Sequence, residues 1–545
     1  MNKNFSRRDV LKLGGVAAGL YGASLVAGCS PSGSNDASQA PSEADKPELA
    51  STGQPSFLTP PETISDFDEV KEYDVVVVGA GEAGLSAVHS ALEAGASVAC
   101  VQNMDTAKTT GNMAASLDVS QNDEAAIQAC ISFINWKSDY RSDRNLVDVW
   151  ARNSFEAISW WANEAAAGGI EAKPHDSVLH YNGYDIHLHA NTYFHVEGAH
   201  GAAAVVIAEA LSNSGADFFY NTPAIQLHKE DNRVVGAVCN DENGNTLLFK
   251  AKKGVILATG DYSYNDEMLD YYAPDTKGFI RMMPYRDGSG LCMGMWAGGI
   301  MTPVNHTKMI HGEFAPCRLE MPFLFIDYIG RRYCDEGVAR MGYMNNFSRA
   351  QLAEEGFANP AAVNYFNIVP SNWKDYYPAW KEKSPYNISI SNGGTEVDPN
   401  AWLSASSPEE LAEKIVAYAQ ENEWGMEPDA ATIVESIKRY NEVCATGKDV
   451  DFGKDPDYLV PLDTDTLYAV PRGSNVLPAI LGGLVVNANH QCLDGDLEPI
   501  PGLFAVGNAS GQFFGGVDYP MDIEGLSIGR AITSGYVAGA YVATL

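Results

Sequence analysis

A run of six residues offers the first chemistry in the sequence. Gly79-Ala80-Gly81-Glu82-Ala83-Gly84 has the glycine spacing G-x-G-x-x-G. Glycines at these positions let the backbone turn tightly, approach a pyrophosphate closely and bring a helix close to a strand. The N-terminus of that helix would direct N–H donors and the positive end of its dipole at the phosphates. The run therefore predicts a dinucleotide-binding turn.

The elements around this turn support the prediction. Val75–Val78 is a β-branched run, typical of a strand buried on both faces. Apolar residues at helical spacing follow the turn, Gly95 ends the helix, and residues 96–101 indicate a second strand. The glycine pattern is specific in this strand–turn–helix–strand order. The second strand ends at Gln102-Asn103 without an acidic residue, so we expect uncharged groups to hold the cofactor's ribose.

Further motifs in a fixed order resemble the fumarate reductase/succinate dehydrogenase flavoprotein family, over about residues 72–545. They are Thr110-Gly111-Asn112, Ala258-Thr259-Gly260-Asp261, Arg286-Asp287-Gly288-Ser289-Gly290, Gly507-Asn508 and Glu524-Gly525-Leu526-Ser527-Ile528-Gly529. Asp261 and Asn508 depart from the family's A-T-G-G and G-E. The resemblance implies FAD rather than NAD. It assigns cofactor contacts to Gly79, Gly81, Glu82, Ala83, Gly84, Gln102, Asn103, Thr110, Gly111, Asn112, Ala224, Thr259, Gly260, Asp287, Asn508, Ser527 and Ile528.

The resemblance also implies the architecture. We expect an α/β fold, a Rossmann-like FAD-binding domain with an inserted α+β capping domain, preceded by a signal and a flexible tether. The expected boundaries are 1–29 for the signal, 30–70 for the tether, 71–300 for the first part of the FAD-binding domain, 301–475 for the cap and 476–545 for the C-terminal part. Residues 406–446 carry apolar side chains at helical spacing, and Ser407-Pro408 marks a helix start.

The catalytic residues are assigned by resemblance. Reductases of this family move a hydride from flavin N5 to one alkene carbon, while an arginine in G-K-R-F-x-N-E-x-x-x-R protonates the other. That segment appears here as Gly330–Arg340, so Arg340 is the expected proton donor. His306 stands in the family's H-P-T, where it could contact substrate or be a core histidine. Tyr519-Pro520 is similar to the Y-P of flavin-dependent 3-ketosteroid dehydrogenases, whose tyrosine lies at the substrate.

The substrate is expected to be neutral. Dicarboxylate reductases hold a carboxylate with a histidine and an arginine, but residues 477–483 are apolar here and Asp522 stands in the arginine's place. We expect Asp522 to repel fumarate. A neutral unsaturated substrate, such as the α,β-unsaturated steroid lactone of a cardiac glycoside, would meet Leu477, Ile480, Leu481, Tyr519 and Met521.

Three other functions stay open at this point. The chain could be a ketosteroid-type dehydrogenase, or a reductase of unsaturated acids such as urocanate or cinnamate. It could also be a flavin electron-transfer lipoprotein without small-molecule turnover.

The N-terminal residues predict export. Ser6-Arg7-Arg8 carries the twin arginine of Tat signals, and an apolar stretch at 13–26 follows. Leu25–Cys29 resembles a lipobox, which would make Cys29 the lipidated N-terminus; the other reading is a plain cleavable signal. Residues 30–70 hold six prolines among small and polar residues, a composition typical of a tether. We therefore expect a cell-surface protein anchored by lipid to the cell membrane.

Charge and cysteine spacing narrow the partners. The chain has 36 Lys and Arg against 70 Asp and Glu, a net charge of −34, which argues against nucleic-acid binding. Its nine cysteines contain no C-x-x-C, so neither a zinc ribbon nor a C-x-x-C-H haem site is predicted. An iron–sulfur cluster is implied by resemblance alone, and no metal ligands are assigned. Electrons must then come from an external donor, for which a membrane multihaem cytochrome is our expectation.

Overall fold

The computed structural model describes residues 55–303, 306–311, 321–337, 364–383, 391–392, 395–396, 399–422, 427–473, 476–516, 519–520 and 522–545. The expected signal, Cys29, Met521 and Arg340 lie outside these residues. Among the helices of the described segments, none combines the length and hydropathy that crossing a membrane requires.

Strands and helices alternate through the first half of the chain. The elements are β1 (Glu69–Val78), α1 (Glu82–Glu93), β2 (Val98–Val101), β3 (Met113–Leu117), α2 (Glu124–Lys137), α3 (Arg144–Ala167), β4 (Lys173–Tyr181), β5 (Tyr184–Thr192), α4 (His200–Asn213), β6 (Asp217–Phe219), β7 (Ala224–Glu230), β8 (Arg233–Asn240), β9 (Thr246–Leu257), α5 (Asp266–Tyr272), β10 (Ile280–Arg281) and α6 (Ser289–Trp296).

The second half contains shorter strands and ends in a long helix. Its elements are β11 (Lys308–His311), β12 (Leu324–Ile326), β13 (Asn364–Pro370), α7 (Tyr377–Lys383), β14 (Ser391–Asn392), β15 (Thr395–Glu396), β16 (Leu403–Ala405), α8 (Pro408–Glu421), α9 (Ala430–Thr446), β17 (Leu467–Gly473), β18 (Val476–Ile480), β19 (Gln491–Leu493), β20 (Pro499–Ala505) and α10 (Leu526–Ala543).

An eight-stranded sheet organises the cofactor half. Its order is β19-β20-β9-β1-β2-β6, with β8 also paired to β9 and β7 to β8. The central pairs are parallel, and their registers set Val78 beside both Val101 and Leu257, and Leu257 beside Ala505. Four strands therefore end at the same edge of the sheet, where ligands of open α/β folds bind. The predicted Rossmann-like α/β fold is confirmed.

Residues between β11 and β18 build a separate apolar core. Strands β12, β13, β17 and β16 form an antiparallel sheet. Helices α8 and α9 pack on this sheet. The fully buried contacts are made by Leu324 and Phe366 of the sheet, Leu411 of α8, and Ile433 and Ile437 of α9. Helix α8 begins as expected after Ser407, whose hydroxyl accepts from the backbone N–H of Glu410 at 3.2 Å.

The segment that precedes β1 differs from the expected tether. Residues 55–70 belong to the described structure, and only 6% of Phe57 is exposed. The Phe57 carbonyl accepts from Trp296 Nε1 at 2.9 Å, and Gln226 Oε1 accepts from the backbone N–H of Ile64 at 2.9 Å. The expected boundary at residue 70 is therefore too late, because an aromatic anchor binds this segment to the folded body.

Candidate active site

A cavity of about 930 Å³ lies at the carboxyl edge of the sheet. This volume is near the upper end for ligand sites. Every member of the expected cofactor set except Gly84 lines it, and so does Tyr519. Gly84 instead lies where α1 meets β1, and a Cβ there would overlap the carbonyl oxygen of Gly79. The fold therefore brings together residues that the sequence analysis had assigned to the cofactor and that are far apart in the chain.

The glycine turn leaves space for a ligand. Gly79 has φ +107°, and a Cβ on it would lie 2.6 Å from the carbonyl oxygen of Ala258. Gly81 is different, because a Cβ there would meet only the Lys108 carbonyl at an ordinary 3.5 Å. Gly81 is also the N-cap of α1, where no described side chain caps the helix. The turn therefore presents unclaimed N–H donors beside open space, which fits a pyrophosphate.

Glu82 is the first residue of α1 and carries an almost buried carboxyl. Its Oε1 lies 3.7 Å from Nδ1 of His200, whose side chain is fully buried. Burial raises the pKa of Glu82 to about 7, against the opposing effects of the Thr109 hydroxyl and the Arg286 charge. Burial also lowers the pKa of His200 to about 3, so this imidazole is neutral. The pyrophosphate end of the cavity therefore contains a carboxyl that holds its proton near neutral pH.

The start of α10 also lines the cavity. Gly525 caps the helix in the left-handed conformation, with φ +84°, and the next turn carries Ser527 and Ile528 into the cavity lining. Gly111 packs against Ile528 so tightly that a Cβ would overlap its side chain. A helix N-terminus in this part of the lining would stabilise negative charge on a bound flavin.

Arg286 is a cavity-lining residue that the sequence reasoning missed. Its Nη1 donates to Asp261 Oδ2 at 3.2 Å and to the Pro478 carbonyl at 2.7 Å, and its Nη2 donates to Thr110 Oγ1 at 3.0 Å. Asp261 is fully buried and also accepts from Asn508 Nδ2 at 3.0 Å. The sequence reasoning assigned a cofactor contact to Asp287 of this motif but not to Arg286, although an arginine inside the motif was a usable signal.

Strands β11 and β18 contribute mostly apolar residues to the cavity lining. Strand β11 alternates, so Lys308 and Ile310 are buried while Met309 and His311 line the cavity. Val476, Pro478 and Ala479 line it from the neighbouring strand β18. The Tyr519 backbone N–H donates to the Lys308 carbonyl at 3.2 Å, which fixes Tyr519 beside this part of the lining.

Several substrate contacts expected from the sequence are wrong. Leu477, Ile480 and Leu481 are fully buried core residues and are not among the described residues that line the cavity. Residues 477–481 are apolar throughout, so the side of β18 that faces the cavity cannot be read from their sequence. His311 was not singled out at all.

His306 is a core histidine rather than a substrate contact. Its side chain is fully buried, and the described cavity lining does not include it. Nε2 donates to the Thr302 carbonyl at 2.8 Å, and Nδ1 accepts from the Tyr262 hydroxyl at 2.5 Å. The ring also stacks on Tyr272 at 4.6 Å between centroids. Burial lowers the pKa of His306 to about 4, so the neutral ring is fully occupied by structural bonds.

Asp522 does not face the cavity as a bare carboxylate. Lys137 Nζ donates to its Oδ1 at 2.8 Å, with 1% of the lysine and 12% of the aspartate side chain exposed. Lys137 also lies over the rings of Phe133 and Trp136. The expectation of an unpaired Asp522 carboxylate is therefore wrong, because a buried cation neutralises it, and Asp522 gives no reason for fumarate to be repelled.

A buried ionic cluster holds the segment that leads to Arg340. Arg332 donates from Nε and Nη2 to Glu336 at 2.9 Å, and from Nη2 to Asp449 at 2.7 Å. Lys454 Nζ lies 3.2 Å from Glu336 Oε2, and at most 6% of any of these four side chains is exposed. Two cations thus balance two carboxylates, as buried charges require.

No group of three or more metal-ligating side chains occurs among the described residues. The described cysteines are mostly buried, and burial raises the pKa of Cys292, for example, to about 11. This is the pattern of core cysteines.

The cavity can be compared with known proteins. A family model described as "FAD binding domain" matches residues 74–519. The chain belongs to that family. FAD is accordingly its cofactor, and the predicted resemblance to fumarate reductase-like flavoproteins is confirmed. The chain is a FAD-dependent oxidoreductase acting on CH–CH bonds.

Two curated relatives and one solved structure illustrate the similarity of this FAD-binding family member. The vinyl phenol reductase of Lactiplantibacillus plantarum is 25% identical over 86% of this chain and 96% of its own. The digoxin reductase of Eggerthella lenta is 25% identical over 100% of this chain and 98% of its own. The open conformation of a flavocytochrome c3 fumarate reductase is 21% identical, covers 87% of this chain and 78% of its own, and gives a TM-score of 0.58. At that identity, the structural likeness concerns the fold alone.

Proposed function

We propose that this flavoprotein reduces an activated C=C bond of a neutral small molecule, such as an α,β-unsaturated steroid lactone or an enone. The observation that carries the proposal is the part of the cavity lining that β11 and β18 form, where Met309, Val476, Pro478 and Ala479 supply apolar surface. Burying the apolar part of a substrate there contributes roughly 25 cal/mol per Å². Vinyl phenol and digoxin, which name the substrates of two relatives, support a neutral substrate.

The residues have distinct roles in this proposal. Bound FAD supplies the hydride. Arg340, assigned by the family motif, delivers the proton to the other carbon. An arginine is a weak acid, with a pKa of roughly 12.5–13.8, so its position must be fixed for it to act. The Arg332–Glu336–Lys454 contacts fix the backbone four residues before it. Tyr519 is the next candidate donor because it lines the cavity.

Transient kinetics of the reduced protein test this assignment. Arg340→Ala should bind FAD and be reduced by dithionite, yet its reoxidation by an enone should slow roughly 10²-fold or more. Arg439→Ala is the matched control, since Arg439 is an exposed arginine paired with Asp451. If Arg340→Ala reoxidised at the wild-type rate while Tyr519→Phe reoxidised slowly, the role of proton donor would belong to Tyr519.

A ketosteroid-type dehydrogenase is the second candidate, because Tyr519 lines the cavity and is followed by Pro520. Such an enzyme would bleach its oxidised flavin when mixed anaerobically with a saturated 3-ketosteroid. The proposed reductase would show no bleaching with that compound and would reoxidise with the unsaturated one.

We further propose that the chain is exported by the Tat pathway, anchored through Cys29 and supplied with electrons by an external cytochrome. The supporting features are Arg7-Arg8, the lipobox-like Leu25–Cys29 and the lack of C-x-x-C in the sequence. Fractionation tests the first two points. Arg7→Lys combined with Arg8→Lys should retain the protein in the cytoplasm, whereas Cys29→Ser should release exported protein from the membrane fraction.

A further inference from the structure

Three departures from the family pattern meet around one guanidinium. Thr110 replaces the first glycine of G-G-N, Asp261 the last glycine of A-T-G-G, and Asn508 the glutamate of G-E. Asn508 donates to Asp261, and Arg286 donates to both Asp261 and Thr110. Residues that are hundreds of positions apart in sequence therefore form one connected group in this chain.

The guanidinium keeps hydrogen-bonding capacity after these contacts. It has five N–H donors. Both hydrogens of Nη1 and one of Nη2 have acceptors in Asp261, Pro478 and Thr110. The Nε–H and the second Nη2–H have no hydrogen-bond acceptor among the described residues, and 15% of the side chain is exposed where it lines the cavity.

The strand order locates these donors along a bound FAD. Gln102, at the end of β2, stands where this fold holds the adenosine ribose, and the glycine turn after β1 holds the pyrophosphate. Asp261 follows β9 and Asn508 follows β20, which are the next two strands in the same direction. Arg286 therefore lies beyond the pyrophosphate turn, on the side of the FMN half of the cofactor.

From this geometry we infer that Arg286 binds FAD directly, through oxygen atoms of its FMN half: the flavin-side phosphate or the ribityl chain. Asp261 is not among the described residues that line the cavity. It serves as a positioning residue that orients the guanidinium of Arg286. Arginine suits this role because its planar fork can bond two fixed acceptors and still present donors to a phosphate. Three other titratable residues line the cavity near Arg286. Glu82 and Tyr285 interact electrostatically with Arg286, and Asp287 follows it in sequence.

Ligand binding by the full-length chain, freed of flavin, tests the inference with three probes. Arg286→Gln should weaken FAD and FMN binding roughly ten- to hundredfold, the range for a lost hydrogen bond to a charged group. ADP carries only the adenosine half, so its affinity should stay within about twofold, on the same free-energy scale. Arg281→Gln is the matched control, because Arg281 is paired with Asp266 at the surface.

A purely structural brace predicts a different result. Removing either member of a brace would weaken all three ligands, so an equal loss of ADP affinity in Arg286→Gln would overturn the inference, as would unchanged FMN affinity. Asp261→Asn separates the two roles further, because it keeps the shape of the positioning side chain and leaves Arg286 itself unchanged. We expect FMN affinity to fall less in Asp261→Asn than in Arg286→Gln, with ADP affinity within about twofold of wild type, and an ADP loss as large as the FMN loss would contradict direct binding.

A variant that fails to fold does not leave the matter open. If Arg286→Gln loses its native circular dichroism, Arg286→Lys keeps the charge but not the fork. It should release FMN more readily than wild type while holding ADP normally, and wild-type FMN affinity in this variant would count against the inference.

Discussion

Asn508 Nδ2 donates to Asp261 Oδ2 across 3.0 Å, joining two residues that are 247 positions apart at the ends of neighbouring parallel strands. The family pattern has a glutamate at the first position and a glycine at the second. In this chain the carboxylate has moved from one strand end to the adjacent one. The Arg286 guanidinium forms an ion pair with this carboxylate and neutralises its charge.

This relationship predicts a reciprocal pair of substitutions. Asn508→Glu alone would set a second carboxylate against the fully buried Asp261, which should cost about 3 kcal/mol of stability, on the scale of an uncompensated buried charge. Combining it with Asp261→Gly restores the family pattern and should recover most of the loss. Thermal unfolding of Asn508→Glu, Asp261→Gly and the double variant measures the coupling. Strictly additive effects would show that the two side chains do not interact.

The glycine turn separates effects on cofactor from effects on folding. Gly81→Ala has room within the protein, so it should fold normally but lose FAD, because its methyl occupies the space beside the phosphates. Gly84→Ala overlaps the Gly79 backbone and should fold poorly. The flavin-to-protein ratio and circular dichroism of each purified variant distinguish the two. Stoichiometric FAD in Gly81→Ala would place the pyrophosphate elsewhere.

Glu82 predicts that FAD affinity depends on pH. Its pKa is already about 7, and the negative pyrophosphate would raise the pKa further, so the bound state keeps the proton to a higher pH than the free state. FAD affinity should be highest below about pH 7 and fall as pH rises, by at most about tenfold per pH unit for one proton. The groups around it are Thr109, Arg286 and the neutral His200.

Fluorescence titration of the flavin-free chain between acid and alkaline pH checks this dependence. Glu82→Gln, which resembles the protonated form, should bind FAD with a flat pH profile. A profile in Glu82→Gln as steep as that of wild type would assign the proton to another group.

The buried Lys137–Asp522 pair predicts a larger stability effect than an exposed ion pair. Lys137→Met would leave the Asp522 carboxylate without this cation and should cost about 3–5 kcal/mol. Lys414→Met breaks the exposed pair of Lys414 with Glu410 and should cost under about 1 kcal/mol. Urea unfolding of both variants compares them. Equal, small losses would mean that the buried pair contributes little.

Local patterns account for the parts of the fold that the sequence predicts well. The β-branched run before Gly79 and the helix start at Ser407 depend on neighbouring residues, and both elements form where expected. The cavity lining was predictable through the family resemblance. The fold shows why it forms, because parallel strands that each end in a polar or glycine motif bring those motifs to one edge.

Long-range pairing explains what the sequence did not reveal. Lys137 lies 385 positions from Asp522, and nothing local to Asp522 shows that it is neutralised. His311 was missed because its place in the cavity lining depends on the phase of a four-residue strand, which alternation fixes only once one face is known. Phe57 appeared to belong to a proline-rich tether because its partner, Trp296, comes from α6.

The most direct test of the proposed function is an anaerobic comparison of substrate classes. The FAD-loaded protein is reduced with dithionite, freed of excess reductant and mixed separately with an unsaturated steroid lactone, an enone, urocanate and fumarate. The apolar wall formed by Met309, Val476 and Ala479 predicts that the neutral compounds restore the absorbance of oxidised flavin within the mixing series and that fumarate does not. Rapid reoxidation by fumarate, with no response to the neutral compounds, would contradict the assignment of a neutral substrate.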